Sequence, residues 1–157
     1  MAYRVGTGDL MRIEYGIYRL ARHPSQPFED VIVACLWAGD DSAASHDTAL
    51  AVYGLADAMP AKIHITVPRP FRGQRQGIVL HHAPLEGNDR TVRDGVPVTT
   101  VARTLAAVAR TSDPRTVATA AEQALSRGLI SVRRLRKLAA DDEILESTLA
   151  HLLSQAG

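Results

Sequence analysis

Residues 44–67 read ASHDTALAVYGLADAMPAKIHITV, and their pattern sets the organisation of the chain. Ser45 stands where a helix N-cap belongs, since a hydroxyl there accepts from a free backbone N–H of the first turn. Ala49, Leu50, Val52 and Tyr53 give a short helix its apolar groups, and Gly54 can adopt the left-handed conformation that ends it. After a polar, Pro-containing link, Ile63, Ile65 and Val67 alternate with Lys62, His64 and Thr66, the period of a half-buried strand. A helix and a strand that each bury one face can share a core. His46 beside Ser45 suggests a base next to a nucleophile. Neighbours in sequence do not face each other on a helix, so the expectation is a cap and a packed histidine that fix the start of the helix.

Working outward, the 157 residues hold one ordinary domain with room for a small appendage. Hydrophobic residues make up 46% and aromatics only 4%, so the core is expected to consist of Ala, Val, Leu and Ile. A net charge of +1 directs attention to local clusters. The single cysteine, Cys35, has no internal partner for a disulfide, which fits a reducing cytoplasm. No segment has the length of a membrane-spanning helix, and the N-terminus lacks the apolar run of a signal peptide. A cytoplasmic protein with no membrane partner is the expectation.

Residues 8–21, GDLMRIEYGIYRLA, alternate as a β-hairpin broken at Gly16, and residues 23–27, HPSQP, form a linker. Ser25 or Gln26 is expected to cap a helix with Pro27 in its first turn and Glu29 and Asp30 near its positive end. The following run, with Val31, Ile32, Cys35 and Leu36 at helical spacing, is apolar nearly all round and reads as buried. Past Val67, the segment PRPFRGQRQG is a basic loop, and Ile78, Val79, Leu80 and His81 form the next strand. Asp94-Gly95 between β-rich flanks signals a tight hairpin, because both central positions favour positive φ. Thr99 or Thr100 is expected to cap a helix lined by Val101, Leu105 and Val108, with Arg103 and Arg110 facing out. Asp113-Pro114, Ser131 and Asp141–Asp142–Glu143 then open three further amphipathic helices. The expected fold class is α+β: a small mixed β-sheet covered by helices, a helical C-terminal part and an N-terminal β-hairpin.

Chemical motifs are sparse. There is no Gly-rich phosphate loop, no HExxH and no paired CxxC. His81 and His82 point to opposite faces of a strand and cannot chelate one ion from it. Neither lysine, Lys62 or Lys137, follows a Glu-x pattern of a metal-dependent nuclease. No catalytic residue, metal or cofactor is expected. Basic residues do cluster: Lys62, Arg69, Arg72 and Arg75 after the opening unit; Arg127, Arg133, Arg134, Arg136 and Lys137 near the C-terminus; Arg4, Arg12, Arg19 and Arg22 around the hairpin. Arginine forks match phosphate and carboxylate oxygens.

The segments SHDTALAVYGL (45–55), HITVPRP (64–70), GIVLHH (77–82) and DGVPVTTVARTLAAVA (94–109) resemble, in order and spacing, the body of the AbiEi-type antitoxins of bacterial abortive-infection (type IV) toxin–antitoxin systems. The resemblance runs from about residue 8 to residue 137. It implies that residues 1–22 correspond to the wing hairpin of an N-terminal winged helix and residues 23–157 to the antitoxin body. It also implies a partner toxin of nucleotidyltransferase type, a complex with which is not assured, self-association of the body, and repression of the operon through operator DNA. Helices that precede the wing in that family have no counterpart here, so Arg4, Arg12, Arg19 and Arg22 are expected to give only weak contacts to DNA phosphates, which position without specifying. Lys62, Arg69, Arg72, Arg75, Arg133, Arg134 and Arg136 are the candidates for meeting a partner. The alternatives are a stand-alone DNA-binding transcriptional regulator and a degenerate nuclease-like protein.

Overall fold

The computed structural model describes residues 27–156 and, at the level of the backbone, residues 10–14 and 17–20. The latter are the expected hairpin: β1 (Leu10–Glu14) pairs antiparallel with β2 (Ile17–Leu20), Leu10 opposite Leu20, with an irregularity between Arg12 and Glu14. Arg4 and Arg22 lie outside the described residues, and Arg12 and Arg19 are placed by their backbone alone.

The body is an α+β unit. Helix α1 (Glu29–Ala38) leads to strand β3 (Ala43–Ala44), helix α2 (His46–Tyr53), strand β4 (Ile63–Val67) and strand β5 (Ile78–His82). The hairpin of β6 (Arg90–Arg93) and β7 (Val96–Thr99) follows, then helices α3 (Val101–Thr111), α4 (Pro114–Ser126), α5 (Val132–Ala140) and α6 (Glu143–Gln155). The five strands form one mixed sheet in the order β5-β4-β3-β7-β6. β4 runs parallel to β5 and antiparallel to β3, while β3 is parallel to β7. The two-residue strand β3 is not signalled by the sequence pattern, because two alanines carry no periodicity; they sit fully buried between β4 and β7.

Local chemistry explains most boundaries. Asp94 and Gly95 have φ of 50° and 81°, the pair of positive values that a tight β6–β7 turn requires. Gly54 at φ 69° ends α2. Thr100, Asp113, Ser131 and Asp142 cap α3, α4, α5 and α6 through their side chains. Two expected caps are different. Helix α1 begins after Pro27, with Phe28 in the left-handed conformation and no side-chain cap. Ser45 does occupy the N-cap position of α2, but its hydroxyl caps nothing; it is engaged elsewhere.

One continuous core joins both halves. It runs from Val31 on α1 through Leu50, Ile65 and Val98 to Leu105, Leu135, Leu145 and Leu149 on the C-terminal helices. Leucines 50, 105, 135, 145 and 149 are fully buried, each worth roughly 1.5–3 kcal/mol of transfer free energy. Helices α3 to α6 thus pack as part of the same domain as the sheet. Among the described residues no helix is long and apolar enough to cross a membrane.

Candidate functional site

Three histidines from three elements meet at one end of the sheet. His64 on β4 and His81 on β5 project from the same face, since the parallel register sets His64 opposite Val79 and Thr66 opposite His81. His64 Nδ1 lies 2.9 Å from His81 Nε2. His46, the first residue of α2, stacks on His81 with ring centroids 3.7 Å apart and planes 16° from parallel. His82 turns the other way, its Nε2 3.1 Å from the Phe71 carbonyl, as strand alternation requires.

Ser45 ties the cluster to the sheet. Thr66 Oγ1 donates to Ser45 Oγ at 2.7 Å, and Ser45 Oγ lies 2.9 Å from His46 Nδ1. With Thr66 as donor, the Ser45 proton is directed at His46 Nδ1, which leaves the proton of the neutral imidazole on Nε2. Neighbouring residues do face each other here, against the helical expectation. Ser45 is extended at the cap, and His46 has φ 54°, left-handed for a non-glycine residue. Such a backbone costs of order 1 kcal/mol and persists where its surroundings fix it.

His46 and His81 line an open cavity of about 690 Å³, closed on its other sides by α3 and the start of α6. Burial, then the charges of His81, His64 and Arg103, lowers the pKa of His46 to about 4. Burial also lowers those of His64 and His81, so the stack is neutral near pH 7. Arg103 is half-buried and lines the cavity instead of facing out. Arg110 is exposed but committed: it donates to Asp142 at 2.7 Å, joining α3 to the cap of α6. Asp47 accepts from Ser112 Oγ at 3.0 Å. Among the described residues no group of three His, Cys, Asp or Glu is arranged to hold a metal ion; stacked rings do not converge their nitrogens on one point.

The basic candidates fall into different situations. Arg69 is no free loop cation: its Nε lies 3.1 Å from Asp41, and it also donates to the Ala38 carbonyl at the end of α1. Gly39 makes that approach possible, since a Cβ there would run into the Arg69 guanidinium. Arg75 lies over the Trp37 ring at 5.3 Å, and Trp37 meets Phe71 edge-on. These contacts tie the basic loop to α1. Arg72 and Lys62 are exposed. Arg127 donates to the Tyr53 and Gly54 carbonyls and closes the C-terminus of α2. Arg133, Arg134, Arg136 and Lys137 lie exposed on α5, with Arg136 also donating to the Leu153 carbonyl. The structure does not bring the loop and α5 clusters together into one hydrogen-bonded network among the described residues.

Sequence reasoning treated the histidines separately and missed their meeting. The usable signal was parity: His64 and Thr66 share a face on β4, and pairing with β5 adds His81.

No curated protein matches the chain. The model of a family described as the AbiEi antitoxin C-terminal domain matches residues 42–154, from the start of the sheet to the last turn of α6. That span holds the whole five-stranded sheet, the histidine cluster and the helical half, and the chain belongs to the AbiEi antitoxin C-terminal domain family.

Proposed function

We propose that this chain, an antitoxin with a cognate toxin as its general partner, counters a toxin of nucleotidyltransferase type in the cytoplasm and does so without catalysing a reaction. The observation that carries the contact is the outer face of α5: Arg133, Arg134 and Lys137 are exposed, and no carboxylate pairs with them among the described residues. Such cations are available to an acidic protein surface or to a nucleic acid that the toxin also uses. In the loop, Arg72 is the arginine left for the same role, Arg69 and Arg75 being held against α1. Lys62 is a further exposed candidate. The Ser45–His46 pair supports the non-enzymatic reading: Ser45 is 1% exposed and no carboxylate is hydrogen-bonded to the imidazole among the described residues.

Residues 1–22 act, in this reading, as the wing of a winged helix and residues 23–157 as the antitoxin body. Operon repression, in this reading, runs through a recognition helix in the major groove of operator DNA. Arg4, Arg12, Arg19 and Arg22 supply contacts to DNA phosphates, which position without specifying a sequence; contacts of this kind alone give affinities of ~10⁻⁴ to 10⁻⁶ M near physiological salt.

Growth rescue tests the proposal. A cognate toxin of nucleotidyltransferase type is expressed with the wild type, with Arg72→Ala, and with Arg133→Ala/Arg134→Ala/Arg136→Ala. Wild type is expected to restore growth and the α5 variant, with a normal melting curve, to protect poorly. Failure of the wild type to rescue would refute the antitoxin activity of the body; equal rescue by the folded α5 variant would refute the assigned surface.

A further inference from the structure

We propose that the cavity between the histidine stack and α3 is a binding site for a phosphomonoester, held by the Arg103 guanidinium beside the His46 imidazole. The charge count in the cavity points to an anion. Arg110 and Asp142 neutralise each other at 2.7 Å. Asp47 does not line the cavity: it accepts from Ser112 Oγ at 3.0 Å, and its charge bears on His46 and His64 from behind the wall. Arg103 is half-buried and has no carboxylate partner among the described residues, while its field reaches His46. A half-buried guanidinium facing imidazoles and hydroxyls is a cation without its counter-charge.

The donor set favours phosphate. Arg103 offers a planar fork suited to two oxygens of one group. His46, with Nδ1 taken by Ser45, turns its other ring nitrogen away from that bond. The guanidinium fork from α3 and the imidazole from α2 together suit the terminal oxygens of a phosphomonoester, which carries about −1.5 to −2 charges near pH 7; a carboxylate, with two oxygens and one charge, would use fewer of these donors. The left-handed backbone of His46 fixes the imidazole in this position although it disfavours the local conformation. The opening, about 690 Å³, falls within the range of small-molecule sites. It is far larger than a lone phosphate needs, so the phosphate belongs to a larger molecule: a small phosphorylated compound or the phosphorylated end of a nucleic acid. The site is separate from the exposed face of α5, and it stands whether or not that face meets the toxin.

Calorimetric titration of the full chain with inorganic phosphate, ribose 5-phosphate, and a tetranucleotide with either a 5′-phosphate or a 5′-hydroxyl tests this. Saturable binding is expected for ribose 5-phosphate or the 5′-phosphorylated oligonucleotide, the stronger of the two identifying the source. The ring-proton signals of His46 and His81 should shift on binding. Arg103→Gln should weaken it by about tenfold or more, as expected for a lost charged hydrogen bond, and Arg133→Gln should leave it unchanged. No saturable binding of any phosphorylated probe would overturn the site. So would equal binding by folded Arg103→Gln, or equal binding of the 5′-hydroxyl oligonucleotide. Should Arg103→Gln fail to fold, Arg103→Lys decides: it keeps the charge but loses the fork, so binding weakened several-fold supports the site and unchanged binding refutes it.

Discussion

Acid should loosen this fold through the imidazole stack, and the size of the effect follows from His46. Its pKa falls from 6.5 to about 4, through burial first and then the charges of His81, His64 and Arg103. In the unfolded chain the same imidazole takes up a proton near its ordinary pKa. Between these two values the unfolded state binds more protons, so stability falls as the pH falls. The contribution is fully present above pH 6.5 and is lost as the pH drops towards 4. Integrated down to about pH 5, a shift of this size corresponds to roughly 2 kcal/mol. His46 is only half-buried, and solvent screening reduces the expectation to about 1 kcal/mol. His64 and His81 are shifted in the same direction and add to the trend. Urea unfolding of the wild type and of His46→Asn, at about pH 7.5 and about pH 5, isolates the contribution. Asparagine tolerates the left-handed backbone and does not titrate. The wild type should lose about 1 kcal/mol more than the variant between the two conditions. If both lose the same amount, His46 is not held neutral by the fold, and the stack as described is wrong.

Leu149 on α6 is fully buried, and Leu149→Ala should lower the urea-unfolding free energy by about 2–5 kcal/mol while unfolding remains a single transition for sheet and helices. Gly39→Ala should cost about 1–3 kcal/mol by the same measurement, because φ is 120° and the new Cβ displaces Arg69; adding Asp41→Asn should then cost little more, since the ion pair is already broken. Tyr53→Phe removes the buried hydroxyl that donates to the Thr99 carbonyl at 2.8 Å and should cost about 1 kcal/mol in thermal or urea unfolding.

The elements with strong local signals were legible from sequence. Gly54, Asp94-Gly95, Thr100, Asp113-Pro114, Ser131 and Asp142 sit at the boundaries their chemistry indicates. The apolar run on α1 reads as buried, and Val31, Val33, Ala34 and Cys35 are, but Leu36 is 56% exposed, so one side of the helix faces out. Legibility stops where position depends on residues far apart in the chain. Ser45 looks like a cap, yet Thr66, brought alongside by β4, takes its hydroxyl. Arg69 looks like a loop cation, yet the turn after α1 offers it Asp41. Arg103 is spaced to face out from α3, yet the end of the sheet folds beside it. His46, His64 and His81 look unrelated until β4 and β5 pair in parallel through a ten-residue connection, a register that local spacing does not encode. In each case a tertiary partner competes with the local preference and wins.

Strand β3 has a consequence for how the chain reaches its native state. Ala43 and Ala44 are all that joins β4–β5 to β6–β7. The β6–β7 hairpin closes over two residues and can form within about 1–10 μs. The junction has to wait, because Ala44 must meet Ile65 on one side and the distant Val98 on the other, and such long loops cost entropy before their contacts repay it. On the ribosome the same dependence becomes an order in time: residues 43–44 emerge early, but their second neighbour does not exist until β7 has been made. Until then the middle of the sheet has one open side, and the nascent chain carries a bare strand edge of the kind that pairs with other chains.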